Sequence, residues 1–260
     1  MSVYPRVFWP PSRDNFVNYG VILTLLLSSG AALAVDPLTT DDADTVEFGK
    51  CEFITGWQFN REDSVDLNGY YVNPNVGITP RAEAGLTFGY QWRDGPFGAD
   101  GIDDLAFDIK WGLIGKEDVT PFRLAVRFDA DVPTASPRLG LGTGEPDADA
   151  FLIATYTVRK TSFDWNIGYT KINASRPVFN DDLWFVGQAV RQEVNEKWAI
   201  SSEVYAMIPQ GSAGAPANIN FDAGPQYTIT ENLLFSGVVG SAIGHDSPQL
   251  YANFCFVWTF

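Results

Sequence analysis

The chain has one histidine, two cysteines and two methionines among 260 residues, and it lacks any long apolar run. No stretch reaches the roughly 20 consecutive apolar residues that a membrane-spanning helix needs. Mean hydropathy is close to zero, at −0.06. A helical membrane protein is therefore excluded. Charge is scarce too: 19% of residues, against about a quarter in ordinary soluble domains. Basic residues are the scarcer sign, 17 against 32 acidic, for a formal net charge of −15. So acidic a chain argues against nucleic acid and against polyanionic partners.

The longest apolar run, 21–27, continues through small residues to Ala34. Arg6 and Arg13 precede it, and Ala32-Leu33-Ala34 supplies a cleavage triplet, so residues 1–34 are expected to be a secretory signal peptide. No Cys follows the triplet, which argues against a lipid anchor. Residues 35–48 form an acidic lead, expected to be periplasmic, with Asp36, Asp41, Asp42, Asp44 and Glu47. They lack EF-hand spacing, so the lead reads as solvated or inserted in a lumen. The remainder, 49–260, reads as one domain.

Aromatics reach 14% and glycines number 24, which favours strands and tight turns. At the carboxy-terminus Leu250, Ala252, Phe254, Phe256, Trp258 and Phe260 alternate with Tyr251, Asn253, Cys255, Val257 and Thr259. One face of such a strand is wholly apolar, and a soluble protein rarely leaves that face on a bare edge. Eleven further segments of about ten residues repeat the pattern. They are 50–60, 69–79, 82–92, 103–113, 122–132, 148–158, 163–170, 183–191, 198–208, 219–228 and 233–241. Short polar turns alternate with longer segments at 61–68, 93–102, 133–147, 171–182, 209–218 and 242–248. This predicts an all-β fold: a single antiparallel transmembrane β-barrel of about 12 strands in the bacterial outer membrane, both termini periplasmic. Outer-membrane lipid and lipopolysaccharide would surround it, and Phe260 would address it to the barrel-assembly machinery.

Parity places Cys51 on the outer face with Phe53 and Trp57, and Cys255 on the inner one, which argues against a disulfide. The same parity turns Glu83, Asp108, Lys110, Arg123, Arg127, Asp129 and Glu203 toward the bore as candidate lumen-lining residues. Asp131 joins Asp108, Lys110, Arg123, Arg127 and Asp129 in a possible charge network across two adjacent strands. Such a network either pairs charges in a narrow bore or orients a passing solute. Gly140-Leu141-Gly142-Thr143-Gly144 lacks a phosphate-loop context and reads as a flexible outer loop. His245-Asp246-Ser247 has the spacing of a lipid-active serine enzyme, without an evident third partner. No catalytic residue, metal site, nucleotide motif or cofactor is assigned.

Residues 37–47, Pro-Leu-Thr-Thr-Asp-Asp-Ala-Asp-Thr-Val-Glu, lead into Gly49-Lys50-Cys51-Glu52-Phe53. Further on, Gly101-Ile102-Asp103-Asp104-Leu105 precedes Asp108-Ile109-Lys110-Trp111. These landmarks resemble the "transporter" family named for a phenol meta-cleavage degradation pathway. The resemblance implies an outer-membrane barrel for passive uptake of small compounds, aromatic or hydrophobic ones among them. A carboxylate-rich lumen favours neutral or cationic solutes. The alternatives are a lipid-active enzyme, or a structural or adhesive barrel using 133–147.

Overall fold

Alternate side chains of a strand face opposite ways, and that rule builds the whole wall. The computed structural model describes residues 37–62, 65–94, 98–116, 119–173, 182–210, 217–243 and 250–260. Within them run β1 (Cys51–Glu62), β2 (Val65–Thr79), β3 (Ala82–Arg93), β4 (Ala99–Ile102), β5 (Leu105–Ile114), β6 (Phe122–Val132) and β7 (Asp147–Val158). They are followed by β8 (Thr161–Lys171), β9 (Leu183–Glu193), β10 (Trp198–Pro209), β11 (Asn218–Thr230), β12 (Leu233–Ile243) and β13 (Leu250–Thr259). No helix occurs among the described residues.

Every strand pairs with its neighbours antiparallel, and β1 pairs with both β2 and β13, which closes the sheet. The short β4 pairs with the upper half of β3, while β5 pairs with its lower half. Tyr90 faces Ile102 and Thr87 faces Ala106, so one extra residue bulges at Asp103-Asp104 and β4 with β5 forms one wall strand. The barrel thus has twelve wall strands, as the sequence predicts. Its seam is stitched at the very end of the chain: Cys51 N–H donates to Phe260 O at 2.8 Å, and Phe260 N–H returns to Cys51 O at 2.9 Å.

The outer face carries the apolar set. Phe107, Ile109 and Trp111 on β5 are exposed, as are Phe256 and Trp258 on β13. Aromatic pairs cluster toward both rims: Trp198–Tyr227 (4.6 Å between centroids) near the short turns, and Tyr169–Trp184 (5.0 Å) near the long loops. This lipid-facing band, flanked by aromatic girdles, belongs to a transmembrane barrel.

Two expectations shift. The segment 61–68 is not a long loop, because β1 and β2 pair as far as Glu62 opposite Val65. Likewise 99–102 pairs with β3 where a loop is expected. Apolar alternation marks only the part of a strand in lipid, whereas the backbone ladder continues into water. Neither cysteine is disulfide-bonded: Cys255 is buried inside opposite Gly56, and Cys51 starts β1 opposite Val76. The signal segment and His245-Asp246-Ser247 lie outside the described residues.

Proline interrupts the ladder in β2 and β11. Pairing of β11 with β12 skips from Ala223–Val239 to Gln226–Ser236 around Pro225, which has no N–H to donate. There the backbones close in, and a Cβ at Gly224 would collide with the carbonyl of Gly237. Gly224→Ala should therefore cost about 1–3 kcal/mol and lower the temperature at which the folded electrophoretic band converts to the unfolded one. Gly69→Ala, with no neighbour nearer than 3.9 Å, should leave that temperature unchanged.

Candidate functional site

A twelve-stranded bore needs filling, and the acidic lead fills it. Residues 37–47 enter at the short-turn end beside Gly77 and run inward along the lumen wall. Phe48 bridges Gly77, Gly49 N–H donates to Gly77 O at 3.0 Å, and Gly77 N–H donates to Lys50 O at 3.1 Å. A Cβ on Gly77 would strike the carbonyls of Val46 and Glu47, so glycine there makes room for the entering chain.

From that entry the segment is pinned rung by rung. Val46 N–H donates to Glu83 Oε2 (2.5 Å), Ala43 N–H to Thr155 Oγ1 (2.9 Å) and Asp41 N–H to Asn166 Oδ1 (2.9 Å). Asn166 Nδ2 answers with a bond to Asp41 O at 2.7 Å. Thr39 and Thr40 N–H groups reach the two oxygens of Glu203 at 2.6 and 2.7 Å, and Asn253 Nδ2 donates to Pro37 O at 3.0 Å. A segment without regular structure thereby satisfies its backbone from wall side chains. Leu38 and Ala43 add apolar contacts, packing on Ala189 with Val238 and on the cluster of Phe151, Phe185 and Tyr205.

Charge completes the docking. The Asp41 carboxylate meets Lys110 Nζ at 3.2 Å and Arg127 Nη1 at 2.9 Å, all three almost wholly buried. Lys110 also pairs with Glu83 (3.3 Å), Arg123 with Asp44 (2.7 Å), and Arg127 with Asp129 (3.1 Å). The Arg127 guanidinium stacks on Phe151, 4.6 Å from its centroid. At the entrance Lys50 lies 2.5 Å from Glu47, whose carboxyl it holds below the usual range through their hydrogen bond.

Six of the seven sequence-read candidates thus converge on the inserted segment or on its anchors. Glu83, Lys110, Arg123, Arg127 and Glu203 touch it directly; Asp129 holds Arg127. Asp108 stands apart, buried and without an ion pair among the described residues; the half-buried Asp131 forms none there either. The network expected within the wall is in fact routed through Asp41 and Asp44. Sequence reading missed Asn166, Thr155 and Asn253 as anchors, since neutral inward residues carry no signal of what they face.

The loop 133–146 makes several hydrogen bonds to the wall. Ala135 N–H donates to Asp104 Oδ1 (2.8 Å), Gln91 Nε2 to Leu141 O (3.2 Å) and Arg93 Nη2 to Leu139 O (3.2 Å). Gly140 and Gly144 adopt φ of 71° and 81°, which glycine allows without strain. Leu141 and Thr143 are buried against the inner face, narrowing the long-loop end.

Beside the inserted segment lies a cavity of about 350 Å³, between it and β1, β2, β3 and β5. Its mouth is at Glu47, Lys50 and Thr259; its inner end is at Asp108 and Arg127.

The closed wall, lipid-facing band and filled bore define an outer-membrane β-barrel, and they place the chain in the bacterial outer membrane. Solved structures share the fold. An outer membrane channel from Pseudomonas putida F1 aligns over 87% of this chain and 100% of its own, at 15% identity and a TM-score of 0.67. The NalP translocator domain from Neisseria meningitidis covers 95% and 98%, at 8% identity and TM-score 0.55. The NanC porin covers 80% and 98%, at 6% and 0.56. No protein-family model and no curated protein matches the sequence.

Removing one partner of a buried ion pair costs about 3–5 kcal/mol. In Asp41→Asn, Lys110 keeps Glu83 and Arg127 keeps Asp129, so the docking loss should be near the lower bound. Amide hydrogen exchange at Thr39, Thr40, Asp41 and Ala43 should then quicken by about 100-fold, with the wall strands unchanged.

Proposed function

We propose that the protein is a passive outer-membrane channel for small compounds, belonging to the "transporter" family named for phenol meta-cleavage degradation. The observation that carries this reading is the cavity beside the inserted segment. It runs from the short-turn mouth to mid-bore along a wall of charged and polar side chains. A purely structural barrel gains nothing from a hollow there, because filled bores stabilise and unfilled ones do not. The likeness to an outer membrane channel and to porins supports the same reading at the level of fold. Transport needs no cofactor, and solutes move down their gradient.

In planar bilayers the purified protein should give small, discrete current steps. Asp41→Asn, which loosens the inserted segment, should raise the mean current several-fold. A folded barrel that passes neither ions nor solute in bilayers and liposomes overturns the channel. Loss of a lipid-hydrolysing activity in Ser247→Ala would instead establish the enzyme alternative.

A further inference from the structure

One rung of the wall stands out for what it lacks. Across five wall strands the register sets Glu52 on β1 beside Asn75 on β2, Gly85 on β3, Asp108 on β5 and Asp129 on β6. Acceptors flank a single glycine. The Asp108 Oδ1 and Asn75 Oδ1 atoms both lean over Gly85, where a Cβ would collide with each. Asp108 is 7% exposed and its Oδ1 accepts no hydrogen bond from any described residue. A buried acceptor such as Asp108 Oδ1 is costly unless a donor reaches it.

No neighbouring cation is free to serve. Lys110 and Arg127 are engaged by Asp41, Glu83 and Asp129, and Lys50 by Glu47. Asp108 and Glu52 form no ion pair among the described residues, yet both line the 350 Å³ cavity. We propose that this rung is a binding site for a small protonated primary amine, its ammonium held by Asp108, Asn75 and Glu52 above Gly85.

The donor count selects the ligand. An ammonium offers three N–H donors and is satisfied by three acceptors. Calcium takes six to eight oxygens and magnesium six in strict octahedral geometry, and no group of three metal-ligating side chains suited to an ion occurs among the described residues. The cavity is of a size that admits a small organic body, with Ile54 and Asn73 alongside. The amine site deepens the channel reading and rests on it for its purpose, though binding can be measured without conduction.

The test is calorimetric titration of the full-length protein in detergent with n-propylamine at pH 7, against n-propanol and propionate. The amine should bind and the other two should not. Asp108→Asn and Gly85→Ala should each weaken binding at least tenfold. The first removes the charge and the second displaces both acceptor oxygens. Asp182→Asn, at an exposed ion pair with Lys171, should change nothing. Variants are compared only where the heat-modifiable folded band is retained, and Asn75→Asp, which adds charge at the same place, should tighten binding. Absence of amine binding, binding indifferent to Asp108→Asn, or equal competition by potassium overturns the proposal. Amine binding without current would sink the channel reading alone, and current without amine binding would sink this one alone.

Discussion

Hydrocarbon offers no hydrogen bonds, so each backbone N–H and C=O that crosses a membrane in strands must find a partner in the next strand. That constraint leaves no loose edge anywhere in this wall, and the carboxy-terminal residue itself is used: Cys51 and Phe260 exchange both of their bonds. Twelve strands are then required to have one face for lipid and one for the bore. The prolines Pro74 and Pro225 sit where the ladder skips, and a glycine beside Pro225 lets the backbones approach.

Closing the wall creates a second problem inside it. Lys110, Arg123 and Arg127 point into a narrow lumen, and a buried cation without a counter-charge is strongly destabilising. The wall could supply all the counter-charges, as Asp129 does for Arg127. Here most come from residues 37–47 instead. Asp41 spans Lys110 and Arg127, and Asp44 takes Arg123. Because the counter-charges sit on a segment that is not a wall strand, the stability of the bore and the position of that segment are linked.

How much of this could be read from sequence follows from which solvent each residue faces. Lipid imposes a strict period of two, so Leu105, Phe107, Ile109 and Trp111 announce a strand and its outward face without any knowledge of neighbours. The twelve-strand wall and the inward parity of Glu83, Lys110 and Arg127 follow directly. Above the lipid the period fades, which is why the ladder through Glu62–Val65 and Ala99–Ile102 reads as loop. Inside the bore, function depends on register, on which residue stands beside which across strands. Nothing local to Asn75 or Gly85 reveals that Asp108 shares their rung. The acidic run Asp41, Asp42, Asp44 and the basic trio of the lumen do match in sign, and that complementarity is the one sequence signal for the inserted segment.

The same complementarity shapes the electrostatics of the cavity that remains. Without residues 37–47, Lys110 would keep only Glu83, Arg127 only Asp129, and Arg123 would lose its carboxylate partner. With them in place, those cations are neutralised at contact distance and their field is confined to ion pairs about 3 Å long. The cavity-wall carboxylates that form no ion pair among the described residues are Asp42, Glu52 and Asp108, and in a bore shielded from bulk water their field is little screened. The inserted segment thus narrows the bore and neutralises the cations of its wall. What lines the bore is thus set by a segment outside the wall, and for that reason the terminal strand alone, which announces the membrane so plainly, says nothing of the lumen's chemistry.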